Sequence, residues 1–118
     1  MNLKKIFLLA FVFSAIVSQA QVNKFTDDMR KQMCKKVQDA CRHAWQGYMQ
    51  YAKGFDDLRP LTKQGRNWYK HSMLMTPVDA FDTFIFLGLT KEAGEAKDLI
   101  LTRLNFDADN EVQVFEIT

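Results

Sequence analysis

Apolar residues recur every three or four positions over much of the chain, a spacing that predicts α-helices. The first predicted helix runs from Asp27 to Lys53, with Thr26 as its N-cap and Gly54 at its end. Its apolar stripe consists of Met29, Met33, Val37, Ala40, Ala44, Tyr48 and Ala52. At about 1.5 Å per residue the helix would be roughly 40 Å long, which is long for a domain of about 100 residues.

The second predicted helix is apolar on nearly all sides. Its sequence, TPVDAFDTFIFLGL, opens at Thr76-Pro77 and ends near Gly88. A helix of this kind is predicted to be buried. Past the first turn its polar side chains lie at i, i+3 and i+4 on one face, and they are Asp79, Asp82 and Thr83. Because burying carboxylates without partners is costly, this face is predicted to meet a cation, a hydrogen-bond network or a water-filled pocket.

One more helix follows, and the segments on either side are less regular. The third helix is predicted to start with Thr90 as cap and to stop near Asn105, and its inward residues are Ala93, Ala96, Leu99, Ile100 and Leu104. Residues 55–75 are predicted to be an irregular connection. The last segment, EVQVFEIT, alternates apolar and polar residues and stops without a polar tail. We therefore expect the chain to be truncated within an element, although a natural terminus that docks as a strand is the alternative.

The N-terminus has the parts of a secretory signal peptide. Lys4 and Lys5 precede an apolar run from Ile6 to Val17, and Ser18-Gln19-Ala20 has the small-x-small pattern of a signal-peptidase site. The apolar run is shorter than the roughly 20 residues that span a bilayer, so an uncleaved anchor is the less favoured alternative. We expect cleavage of residues 1–20 and export of the mature chain, without a stable membrane anchor, to the periplasm or the exterior.

Charge and cysteine content narrow the possible functions. The sequence has 16 basic and 14 acidic residues, and loss of Lys4 and Lys5 would balance them. A neutral mature chain does not indicate nucleic acid as a partner. Cys34 and Cys41 lie seven positions apart in one predicted helix, so roughly 10 Å would separate their Cα atoms, too far for a disulfide. We expect both to be small buried apolar residues rather than metal ligands.

Three segments carry a resemblance to a known family: HAWQGYMQYAKGFDDLRPLTK, WYKHSMLMTPVDAFDTFIFLGL and LNFDADNEVQVFEIT. In this order and spacing they resemble the N-terminal part of a family 47 glycoside hydrolase, the class I α-1,2-mannosidases. The resemblance extends from about Met29 to Thr118, and its most specific part is VDAFDT followed by VFE. It implies an all-α fold in which residues 21–118 form the first helices of an (αα)7 barrel, truncated here. It also implies an inverting mechanism, a calcium ion and α-1,2-linked mannose as substrate.

The resemblance further implies roles for individual residues. Glu116 matches the acid of the family's F-E motif, which acts as general acid through a water molecule. Asp79 matches the first acid of the V-D-x-x-D-T motif, which lines the pocket, and Asp82 and Thr83 would supply supporting hydrogen bonds. The family's candidate bases, its calcium ligands and an arginine after the F-E motif would lie beyond Thr118. The chain departs from the family pattern at two positions before the DLRP segment, Lys53 and Phe55.

Each candidate also has a structural alternative. Asp79 is the third residue after Thr76 and could be the acidic half of a capping box. Asp82 could be a buried, hydrogen-bonded structural acid, and Glu116 an ordinary half-exposed glutamate. Trp45, Trp68 and Tyr69 could stack on sugar rings, but aromatic residues on helix stripes are more commonly core residues. His43 and His71 are isolated, and surface or core roles are favoured over catalysis for both.

Two functional hypotheses remain. In the first, the chain is the opening segment of an exported, calcium-dependent α-1,2-mannosidase that acts on mannose-containing oligosaccharides, and the segment alone is inactive. Inverting hydrolysis needs two carboxyl groups roughly 6.5–9.5 Å apart, and the segment offers Asp79, Asp82 and Glu116. In the second, the chain is complete and is a small helical periplasmic binding or interaction module that has lost catalysis. The signal sequence and the MLMTP segment favour a bacterial source. The oligomeric state stays open.

Overall fold

The structure is a computed structural model that describes residues 25–111 and residue 113. The predicted signal peptide and Glu116 lie outside the described residues. Along the described chain the elements are α1 (Asp27–Tyr51), β1 (Asp57–Arg59), β2 (Gln64–Arg66), α2 (Met75–Phe86) and α3 (Thr90–Arg103). The predicted all-α class is therefore confirmed for this part of the chain, with a two-stranded hairpin added to the helices.

The chain divides into two compact units, Met1–Gln32 and Met33–Thr118. The described part of the first unit is the opening of α1. Met29 N donates to Thr26 Oγ1 at 3.2 Å, and an ion pair of 3.0 Å joins Arg30 to Asp27. The predicted N-cap at Thr26 is thus confirmed, because its hydroxyl satisfies an amide that has no partner within the helix.

The core of the second unit lies where the last turns of α1 pack against α2 and α3. Trp45 stacks on Tyr48 with ring centroids 5.2 Å apart, and it meets Phe84 of α2 edge-on at 5.0 Å. The indole N–H of Trp45 donates to Glu95 Oε2 of α3 at 2.7 Å. The remaining buried apolar members of this cluster are Ala52, Leu89, Ala96 and Leu99. Of the inward stripe predicted for α3, Ala96 and Leu99 are buried, whereas Ala93, Ile100 and Leu104 are partly buried. Trp45 has the core role that was its structural alternative.

Glycines end two of the helices, as the sequence predicts. Gly54 follows α1 with φ +90° and Gly88 follows α2 with φ +68°, both in the left-handed region that favours glycine. A side-chain hydrogen bond fixes the end of α2 to α1, because Gln38 Nε2 donates to Leu87 O at 2.8 Å. This contact with α1 therefore fixes the position of the C-terminal end of α2.

The connection between α1 and α2 is more regular than its sequence predicts. β1 and β2 pair antiparallel, with Asp57 opposite Arg66 and Leu58 opposite Gly65. The strands, DLR and QGR, are three residues each, and Leu58 is the only apolar side chain in them. The hydrophobic pattern therefore carries no signal for this hairpin, which backbone pairing and a cross-strand ion pair define.

The helix α2 is not buried in the way that its sequence predicts. Pro77 and Phe84 are its buried residues, whereas Val78, Ile85 and Phe86 are 42%, 57% and 89% exposed. In the described chain α2 packs on one side against α1 and α3. A helix that is apolar all round needs neighbours on every side to be buried, so the prediction is wrong for this set of elements.

Two smaller predictions are also corrected. Thr90 is the first residue of α3 rather than its cap, since Leu89 occupies the cap position without a side-chain hydrogen bond. Cys34 is exposed rather than buried, while Cys41 is partly buried and both cysteines are free. Burial, with Glu92 nearby, raises the pKa of the Cys41 thiol.

No helix in residues 25–111 combines the length and the apolar character that crossing a membrane requires.

Candidate functional site

The side chains predicted to line the substrate site lie on an exposed face of α2. Asp79, Asp82 and Thr83 are all exposed, and their spacing places them along one side of the helix. Among the described residues, neither carboxylate has a hydrogen-bond or ion-pair partner. The carboxylate oxygens can therefore accept hydrogen bonds from a ligand that approaches this face.

The structural alternatives for the two acids are both wrong. The helix α2 begins at Met75, and Thr76 Oγ1 donates to the carbonyl oxygen of Asp56 at 2.7 Å. Thr76 is therefore inside the helix and does not form a capping box with Asp79. Asp82 is exposed, so it is not a buried structural acid.

A carboxylate that sequence reasoning missed, Asp56, is fully buried beneath the start of α2. Its Oδ1 accepts hydrogen bonds from Ser72 Oγ at 3.0 Å and from Met73 N at 2.6 Å. Its Oδ2 accepts from Trp68 N at 2.9 Å. A buried carboxylate is tolerated when donors surround it in this way.

The backbone of Asp56 extends the same network to both neighbouring elements. Its carbonyl accepts from Thr76 N at 2.9 Å, and its N–H donates to Arg66 O of β2 at 3.1 Å. The residue therefore connects the hairpin to the first turn of α2. Because its side-chain donors lie between Trp68 and Met75, well after Asp56 in the sequence, no local pattern around Asp56 reveals this role.

Asp57, the next residue, has a different environment at the surface of the hairpin. The guanidinium of Arg66 binds its carboxylate through Nε at 3.0 Å and through Nη2, and Trp68 Nε1 donates to Oδ2 at 2.7 Å. These hydrogen bonds, that of Arg66 first, lower the pKa of the Asp57 carboxyl and outweigh partial burial. Trp68 is 43% exposed and is fixed by this bond rather than by the core.

The chain that leads to Glu116 is fixed to the segment before α2. Asn110 Oδ1 accepts from His71 N at 2.8 Å, and Asn110 Nδ2 donates to His71 O at 3.2 Å. An ion pair of 2.8 Å joins Lys70 to Asp109. His71 therefore contributes backbone groups to this contact, and Glu116 itself lies outside the described residues.

An open groove of about 730 Å³ lies between the end of α1 and the hairpin. Its lining includes Tyr51, Asp57 and Thr76, and the ammonium of Lys63 lies 5.3 Å from the centre of the Tyr51 ring. The side chains of Asp79, Asp82 and Thr83 are not among its lining residues. The groove and the acidic face of α2 are therefore separate features.

Calcium prefers six to eight oxygen ligands, with carboxylates prominent among them. Within residues 25–111 no group of three or more acidic, histidine or cysteine side chains could hold a metal ion.

Comparison with known proteins gives the family of the chain. The sequence model described as glycosyl hydrolase family 47 matches residues 40–118. The chain is 39% identical over 84 residues to the human endoplasmic reticulum mannosyl-oligosaccharide 1,2-alpha-mannosidase, covering 71% of this chain and 12% of that protein. It is 37% identical over 92 residues to mannosyl-oligosaccharide 1,2-alpha-mannosidase MNS1 of Arabidopsis thaliana, covering 78% of this chain and 16% of the relative.

A further human relative, mannosyl-oligosaccharide 1,2-alpha-mannosidase IB, is 33% identical over 94 residues, which cover 77% of this chain and 14% of that protein. The chain thus spans 12–16% of the length of these relatives. The family match includes α2 with its acidic face, the Asp56 network and the segment that contains Glu116. This chain belongs to glycosyl hydrolase family 47.

Proposed function

We propose that this chain is the N-terminal part of the catalytic domain of an exported, calcium-dependent exo-α-1,2-mannosidase that removes mannose from mannose-containing oligosaccharides. The family match over residues 40–118 carries the proposal, because it contains both the VDAFDT and the VFE motifs. The three relatives described above are mannosyl-oligosaccharide 1,2-alpha-mannosidases, which supports the substrate class.

In this proposal the exposed face of α2 forms part of the wall of the sugar pocket. Asp79 and Asp82 present carboxylate oxygens and Thr83 a hydroxyl, groups that hydrogen-bond to the hydroxyls of a sugar. Their exposure and their lack of partners among the described residues support this role. The rest of the wall comes from segments of the protein beyond those described.

The reaction is hydrolysis with inversion at the anomeric carbon. Glu116 supplies a proton, through a water molecule, to the glycosidic oxygen as the bond between that oxygen and the anomeric carbon breaks. A second carboxylate, carried by a part of the protein beyond Thr118, takes a proton from the water that attacks the opposite face. The products are free mannose and an oligosaccharide shorter by one residue.

Calcium in this proposal is bound by ligands beyond Thr118, as the resemblance to the family implies. When bound, such an ion supplies positive charge and coordination sites for hydroxyl oxygens at the base of the pocket. Export by a cleaved leader of bacterial type, residues 1–20, completes the proposal.

The substitution Glu116→Gln in the full-length protein tests the proposal. Glutamine keeps the shape and the hydrogen bonding of the side chain but cannot give up a proton. We expect the rate of mannose release from an α-1,2-linked mannobiose to fall by about 10²- to 10⁴-fold, the usual worth of general acid catalysis, while substrate binding measured by calorimetry is retained.

The matched control is Glu111→Gln, which makes the same chemical change at an exposed glutamate five residues earlier. This variant should release mannose at the unsubstituted rate. Equal rates for Glu116→Gln and the unsubstituted protein would contradict the role of Glu116. Absence of mannose release from the unsubstituted protein would favour the binding-module hypothesis.

A further inference from the structure

We infer that Asp56 is a positioning residue for the acidic face of α2: its carboxylate and its carbonyl hold the first turn of the helix and so set the location of Asp79 and Asp82. That the acidic face of α2 binds a sugar rests on the proposed function. The contacts of Asp56 themselves do not depend on it.

The start of α2 lacks a cap of its own. Leu74 occupies the cap position with φ 53° in the left-handed region, and no side-chain hydrogen bond from that position satisfies the helix. The first amides of a helix have no partner within it and need acceptors from elsewhere. Here Asp56 supplies them, because its carbonyl accepts from Thr76 N at 2.9 Å and its Oδ1 lies 3.4 Å from Met75 N.

The side chain of Asp56 also orders the segment that enters the helix. Oδ1 accepts from Met73 N at 2.6 Å and from Ser72 Oγ at 3.0 Å, and Ser72 Oγ in turn accepts from Leu74 N at 3.1 Å. Every group bound to this carboxylate is a donor. A negative charge at this end of a helix is further favoured by the helix dipole.

The position of Asp56 relative to the acids explains why its loss should matter for ligand binding. Asp79 lies about one turn after Met75 and Asp82 about two turns after it. The opposite end of α2 is held separately, through Leu87 O and Gln38. Loss of the Asp56 contacts would therefore free the N-terminal turns, which carry the two acids, while the C-terminal end stays anchored.

The substitution Asp56→Asn tests the inference in the full-length protein. The amide nitrogen of the asparagine must oppose a backbone N–H, that of Trp68 if it replaces Oδ2 or that of Met73 if it replaces Oδ1. The substitution also removes the negative charge that strengthens the remaining hydrogen bonds, so the segment that enters α2 is held less tightly in either orientation. Hydrogen exchange followed by mass spectrometry should show exchange about tenfold faster or more in peptides over residues 73–82. Exchange over residues 93–103 of α3 should not change.

Asp57→Asn is the matched control, because it makes the same chemical change one residue later. The Asp57 carboxylate binds Arg66 and Trp68, and within the described chain no hydrogen bond or ion pair joins it to α2. Its substitution should leave exchange over residues 73–82 unchanged. Equal acceleration by both variants, or none by Asp56→Asn, would overturn the inference.

Enzyme kinetics then distinguish positioning from a loss of fold. Measured well below the melting temperature, Asp56→Asn should lower kcat/KM by roughly 10- to 100-fold, as expected for a misplaced binding group. The factor by which Asp79→Asn lowers kcat/KM should be at least about twofold smaller in the Asp56→Asn background than in the unsubstituted protein, because Asp79 is already misplaced there. An unchanged cost of Asp79→Asn in both backgrounds would contradict positioning.

Thr76→Val provides a second variant if Asp56→Asn does not fold. It removes the 2.7 Å bond to the Asp56 carbonyl and leaves the carboxylate intact, so exchange over residues 73–82 should accelerate by a smaller factor. No acceleration in this variant would overturn the inference. The exchange measurements decide the anchoring of α2 whether or not the protein releases mannose, and the mannose assay alone decides the proposed function.

Discussion

At the scale of single residues, the four aspartates between residues 56 and 82 have three different environments. Asp56 is buried and surrounded by donors, whereas Asp57 is bound to a guanidinium and an indole. Asp79 and Asp82 face outward without partners among the described residues. The first carboxylate is suited to hold structure, the second to stabilise the hairpin and the last two to bind a ligand.

The lowered pKa of Asp57 predicts a pH dependence of stability. A carboxyl group whose pKa is lower in the folded protein stabilises it above the unfolded pKa, about 3.9, and this contribution is lost as the pH falls toward the folded value. The difference in free energy of unfolding between the unsubstituted protein and Asp57→Asn should therefore be larger at pH 7 than at pH 3. Urea unfolding of the full-length protein at both pH values measures it.

The control for this comparison is Asp98→Asn, since the Asp98 carboxylate is exposed and has no partner among the described residues. Its effect on stability should vary less between the two pH values. A difference for Asp57→Asn that grows as the pH falls would contradict the sign of the shift.

At the scale of elements, the sequence predicts the helices well and their surroundings less well. Helical spacing and glycines place α1, α2 and α3 to within a few residues, because these signals are local. The hairpin and the Asp56 network depend on partners from distant positions, so no periodic pattern reveals them. The acids of α2 are identified by the family motif, whereas exposure of the helix depends on which neighbours pack against it.

Trp45 contacts all three helices of the described chain. This residue is 3% exposed, contacts rings from α1 and α2, and donates to Glu95 of α3. Trp45→Ala in the full-length protein should lower the free energy of unfolding by about 3–5 kcal/mol, the range for large aromatic residues in a core. Denaturant unfolding measures the change.

The second tryptophan of the chain supplies the comparison. Trp68 is 43% exposed and its indole binds Asp57 at the surface, so Trp68→Ala should cost roughly 1 kcal/mol, about the worth of one hydrogen bond. Similar losses for the two variants would mean that Trp45 does not form the centre of the core.

At the scale of the whole molecule, the exposed apolar side chains indicate how the segment should behave alone. Large side chains of α2, α3 and the chain that follows are exposed, namely Val78, Ile85, Phe86, Leu101 and Phe106. Exposed apolar surface of this kind favours association. A protein consisting of residues 21–118 should therefore aggregate or lack a cooperative melt.

Calorimetry and sedimentation of residues 21–118 test this expectation. A sharp, cooperative melt of a monomer would show that the segment folds by itself and would favour the binding-module hypothesis. Residues 21–118 should also release no mannose from an α-1,2-linked mannobiose, with or without calcium, because the second carboxylate of the proposed mechanism is carried elsewhere.

The central claim, an inverting α-1,2-mannosidase of family 47, is tested most directly by the configuration of the first sugar that the full-length protein releases. Proton NMR of the reaction with an α-1,2-linked mannobiose follows the anomeric signals before mutarotation. The proposal predicts that β-mannose appears first, because inversion converts an α-linkage into a β-product. Initial release of α-mannose, or no release from this substrate, would contradict it.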